Sequence, residues 1–119
     1  MSSFSTPVGL VYTDTFENLL NHLVDYLTPF SSQERVVTRA LNVIERFEKR
    51  VLVAPYSVPV SHYLLSIGVN SFREFNADGF KILYRVFDDG QGTRIVVDTI
   101  TSQKQDIEQV LVNYCLLYK

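Results

Sequence analysis

The feature that most constrains this chain is a broken alternation in its second half. In "FREFNADGFKILYRVFDDGQGTRIVVDTI", Phe72 to Ile100, large apolar residues alternate with polar ones and the pattern is interrupted twice by turn signals. Alternation with period two marks a strand with one buried face. Asp-Gly inside "NADG" (Asn76 to Gly79) is the strongest short hairpin signal, and "DDGQG" (Asp88 to Gly92) is a second turn. Strands are therefore predicted over Phe72–Phe75, Phe80–Phe87 and Arg94–Thr101, joined as an antiparallel meander.

The first half has a different period. "VGLVYT" (Val8 to Thr13) is short, β-branched and aromatic, and reads as a strand. Asp14 and Glu17 have capping-box spacing, with Asp14 as N-cap, and Phe16, Leu19, Leu20, Leu23, Val24 and Leu27 then fall on one helical face until Pro29. Ser31 and Glu34 repeat the signal before a second amphipathic helix carrying Val36, Val37, Ala40, Leu41, Ile44 and Phe47 and ending near Arg50. The short link predicts a helical hairpin. Residues 51–71 contain Pro55 and Pro59 and read as a loop with one helical turn at His62–Ser66, followed by a turn at Gly68 and Asn70. From Asp106 onward, Ile107, Val110, Leu111, Tyr114 and Tyr118 fit a terminal helix. The expected fold class is α+β: an N-terminal strand and helical hairpin packed on one face of a mostly antiparallel sheet, with a C-terminal helix, in one domain over 1–119.

The 119 residues, 46% of them hydrophobic, suffice for a single core. Net charge is −2 and the pI about 5.6. A chain that binds nucleic acid through many phosphates carries a basic excess, so any such role here must rest on a local patch. One cysteine, Cys115, makes no intramolecular disulfide, and neither His22 nor His62 has a spaced partner for metal or triad chemistry. "DGQG" lacks the following helix and Gly-Lys-Ser/Thr of a phosphate loop. No metal or cofactor is expected. The opening residues lack a signal-peptide pattern and no apolar run reaches membrane-spanning length, so the expectation is a cytoplasmic protein without a membrane partner.

Within Phe80–Phe87, Phe80, Ile82, Tyr84 and Val86 share one face, which should meet the helices, while Lys81, Leu83, Arg85 and Phe87 share the other. Two cations among apolar groups suit a surface for an acidic partner or a phosphate backbone, and equally an ordinary solvated sheet face. Arg73 and Arg94 lie on flanking strands, with Glu74, Asp88 and Asp98 placed to neutralise them. Charge reversal at Lys81 or Arg85 is expected to leave melting nearly unchanged.

"FREF", then "GFKILYRVFDDG", then "TRIVVDTITSQKQD", behind a strand and a helical hairpin, resembles the RelE/ParE superfamily of bacterial toxins. The resemblance is strong over the last half and follows only the helix pattern before it. It implies a toxin of a type II toxin–antitoxin system, of the kind tied to plasmid stabilisation and growth inhibition. The chain departs from the family where Lys81 replaces an arginine and where "TSQKQD" puts Ser102 and Lys104 in place of a histidine and an arginine, Asp106 being kept. The acid–base position of the mRNA-cleaving branch falls on Val110 or Leu111, with Tyr114 one turn further. The resemblance therefore leans to the ParE branch, which binds DNA gyrase, over a ribosome-dependent endonuclease or a non-toxic binding partner. It implies no catalytic residue, a partner surface at Arg73, Lys81, Arg85 and Lys104, and a cognate antitoxin, with homodimer and toxin–antitoxin hetero-oligomer both open.

Overall fold

The structure, a computed structural model, describes residues 8–102. The element order is β1 (Val8–Tyr12), α1 (Asp14–Leu27), a 3-10 turn (Thr28–Phe30), α2 (Gln33–Val53), α3 (His62–Ser66), β2 (Arg73–Ala77), β3 (Phe80–Asp88) and β4 (Thr93–Ser102). One sheet has the order β1-β4-β3-β2: the meander is antiparallel, and β1 lies parallel beside β4. This is the expected α+β arrangement. The predicted terminal helix, Lys104, Asp106 and Cys115 lie outside the described residues.

Both helices start one residue from the expected cap. Thr13, in extended backbone (φ −76°, ψ 161°), accepts a hydrogen bond from the Phe16 amide at 3.0 Å, so Asp14 is the first helical residue. Asp14 and Glu17 instead meet the partial positive charge of the helix start. Ser32, not Ser31, caps α2 through the Arg35 amide, because the 3-10 turn occupies Thr28–Phe30. α2 continues past Arg50 to Val53. β2 extends two residues beyond Phe75, since Asp78 (φ 49°) and Gly79 (φ 79°) alone form the hairpin loop between paired Ala77 and Phe80. Two successive left-handed residues are what a type I′ turn requires. Arg39 of α2 anchors that loop, donating to the Asp78 carboxylate at 3.2 Å and to its carbonyl at 3.0 Å.

The core lies between helices and sheet. Phe16, Leu19 and Leu23 of α1 and Ala40, Val43, Phe47 and Val51 of α2 pack on Phe75, Phe80, Ile82, Tyr84, Ile95, Val97 and Ile100. Phe47 meets the edges of Phe75 and Tyr84 at 5.5 and 5.2 Å between ring centres. Val86, expected on this face, is half-buried at the cluster's margin. No helix among the described residues is long and apolar enough to cross a membrane.

Candidate functional site

The opposite face of the sheet carries the candidate cations. Its order is disturbed by a bulge: Leu83 pairs with Thr99 and Tyr84 with Val97, so Asp98 is one residue surplus in β4. A bulge lets two consecutive side chains leave on the same side. Val97 and Ile100 thus both reach the core, while Asp98 and Thr99 both belong to the other face.

That surplus aspartate meets Arg85. The guanidinium donates Nε to Oδ2 at 2.8 Å and Nη2 to Oδ1 at 2.7 Å, a two-pronged, charge-assisted pair. The Asp98 side chain is only 7% exposed, that of Arg85 34%. Phe72 and Phe87 flank the guanidinium with ring centres at 5.4 and 5.3 Å. Burial pushes the Asp98 carboxyl above its ordinary value, with Arg85 pulling against it. Arg85 is therefore built into the face rather than projecting from it. Its charge reversal is no longer expected to be harmless.

Lys81 lies 3.6 Å from the Glu74 carboxylate, which also accepts from the Asn76 amide nitrogen at 2.9 Å. The remainder of this face is a small second core of Leu64, Phe72 and Leu83, with Tyr63 and Val69 against it. α3 contributes Leu64 and is capped by Ser61. Thr99 and Thr101 present buried hydroxyls with no hydrogen-bond partner among the described residues.

Arg73 stands apart. It pairs with Tyr84, so its side chain starts from the helix-side face. Nη1 donates to the carbonyls of Val58 and Tyr56, and the guanidinium stacks on the Tyr56 ring at 5.0 Å. Arg50 holds the same segment through the Ser57 hydroxyl and carbonyl, and the Tyr84 hydroxyl donates to the Pro55 carbonyl. Burial pushes the Tyr84 hydroxyl up to about 12, Arg73 and Arg50 opposing. The predicted loop is thus strapped down by three long side chains, which no local pattern in 51–71 announces.

Lys81 and Arg85 therefore share a face, Arg73 approaches from the other side, and Lys104 lies outside the described residues. Arg94 is exposed at the far end of β4. Where β2 begins late, a cleft of about 280 Å³ opens between Tyr56, Val60, Asn70, Ser71, Arg73, Arg85, Val86 and Phe87. Tyr56 and Val60 were not singled out by sequence, and Asn70 only as a turn residue, because their roles depend on how the strap lies across the strand ends. Among the described residues no group of three or more His, Cys, Asp or Glu is placed to hold a metal ion.

No family model and no curated protein matches the chain. Among solved structures it is similar to a chain of one titled "Chromosomal ParDE TA system from P. aeruginosa", with a TM-score of 0.58 at 18% identity, over 80% of this chain and 95% of that one. At that identity the likeness is one of fold, and the shared fold is consistent with the α+β arrangement expected from the sequence.

Proposed function

We propose that the chain is the toxin of a type II toxin–antitoxin module, of the ParE kind. It would act in the cytoplasm by binding DNA gyrase and be held silent by a cognate antitoxin. The observation that carries this reading is the shared fold with a chain from a chromosomal toxin–antitoxin system. The choice of a protein target over ribosome-bound mRNA is supported by the sheet's charge. Lys81 and Arg85 each have a carboxylate partner, Glu74 and Asp98, so the face offers little excess positive charge to a phosphate chain. Antitoxins reach toxins as segments that lie in apolar grooves or extend strand edges, and the helical hairpin and sheet edges offer both kinds of surface.

The test is inducible expression in a bacterial host with microscopy, followed by a supercoiling assay with purified gyrase. Filamentation, DNA damage and inhibited supercoiling are expected, relieved by co-expression of the product of a short neighbouring reading frame. Prompt translation arrest with A-site mRNA cleavage, and no effect on gyrase, would replace this reading with the RelE-like endonuclease.

A further inference from the structure

The cleft beside β3 has three properties that together specify an occupant. The first is an open strand edge. β2 pairs with β3 only from Phe80 to Tyr84, so Arg85–Asp88 has a strand partner on the β4 side and none on the other among the described residues. The alternation says which groups face the gap. Ser61 N–H donates to the Phe72 carbonyl and Glu74 N–H to the Pro59 carbonyl, so residues 72 and 74 turn their backbone groups away from β3. Arg73 and its partner Tyr84 therefore face each other, and two residues on, Val86 turns its N–H and C=O toward the gap.

The second property is one uncompensated charge. Arg85 is matched by Asp98, whereas Arg73 has no carboxylate within ion-pair distance among the described residues, and no acidic residue lines the cleft. Its Nη1 is engaged with two neutral carbonyls, which fixes the guanidinium at the cleft wall without neutralising it. The third is the walls: Tyr56 and Phe87, which flank the Arg73 and Arg85 guanidinium groups, remain 54% and 43% exposed, while Asn70 and Ser71 add polar groups.

We propose that this cleft receives a short extended segment of a partner protein, which adds to the Val86 edge of β3 and places one acidic side chain against Arg73. The proposal deepens the antitoxin reading, on which the identity of the partner rests. Backbone pairing supplies affinity, and the single carboxylate supplies selectivity. A single-stranded nucleic acid fits less well. It would bring a row of phosphates to a site with one unmatched cation, on a chain of net charge −2.

The test is titration of the isotope-labelled full chain, followed by amide NMR, with the peptide Ac-VTEVT-NH2 and with its counterpart carrying Gln for Glu. Shifts confined to Tyr56, Arg73 and 85–88 are expected, with the Gln peptide weaker by about fivefold or more. That arm leaves the protein unaltered, so no folding defect enters it. Arg73→Gln should abolish the difference between the two peptides. Equal binding of both peptides, or shifts located elsewhere, would overturn the proposal, as would an oligothymidylate that outcompetes the acidic peptide at the same amides. The two readings fail separately. Acid-dependent peptide binding without any effect on gyrase removes the target and keeps the cleft, and gyrase inhibition without peptide binding does the reverse.

Discussion

The two faces of the sheet are made by the same strands and held by different forces. The helix-side face is closed by large apolar groups, with Phe80, Ile82, Tyr84, Ile95, Val97 and Ile100 all at 1% exposure or less. The opposite face has a three-residue core, two carboxylate–cation pairs and two buried threonine hydroxyls. Burial of apolar area is non-directional and tolerates small shifts, whereas a two-pronged ion pair requires one register. The helix-side face supplies most of the stability. The other face determines which residue stands opposite which, and it does so through a bulge.

The largest expected effect breaks the first face. Tyr84→Ala removes a fully buried ring from the edge of Phe47 and should cost about 3–5 kcal/mol in denaturant unfolding. Tyr84→Phe, which removes only the bond to Pro55, should cost about 1 kcal/mol. Arg85→Glu should rank next, at roughly 2–4 kcal/mol, because it sets a second carboxylate against buried Asp98. If it melted like the parent, the opposite face would be an ordinary wet surface and the comparison would collapse.

Acidity sharpens the contrast further. The folded-state value of Asp98 is raised above the ordinary 3.8 by burial. A raised folded value means the native state holds that proton more tightly than the unfolded chain. Its contribution to stability is complete below the unfolded value and is lost as pH rises through the folded one. Melting curves of the parent and Asp98→Asn, compared from acid toward neutral pH, should show the parent losing ground across that window. A difference independent of pH would contradict it. The smallest effect belongs to Lys81→Glu. Its side chain is 21% exposed beside Glu74, and the loss should stay within about 1 kcal/mol.

How much of this was legible follows the same division. Alternation in Phe80–Phe87 assigned the core side correctly at Phe80, Ile82 and Tyr84, because burial on one face imposes period two directly on the sequence. Asp78-Gly79 was legible because only a few residue types accept positive φ in succession. The helical turn at His62–Ser66 was legible too, although nothing showed that its Leu64 would build a second core. The bulge was not. Asp98 was read as placed to neutralise Arg73 or Arg94, and it pairs with Arg85 at a bulge where one surplus residue in β4 turns Ile100 rather than Thr99 to the core. Nor was the strap at 55–60, whose anchors Arg50, Arg73 and Tyr84 come from three different elements. Both depend on contacts distant in sequence, where spacing carries no signal.

The parallel pairing of β1 with β4 has a consequence in time. Thr13 bonds to the Asp98 carbonyl across 85 residues of chain. On a ribosome adding roughly 5–20 residues per second, β1 emerges about 4–17 s before its partner strand has been made. Throughout that interval the first strand has no ladder, and α1 and α2 have no sheet on which to close. The helical hairpin can pair with itself, but Phe47 and Val51 must wait for Tyr84 and Ile95. The sheet thus stays unfinished until β4 has been made, and whatever activity needs it closed cannot begin before then.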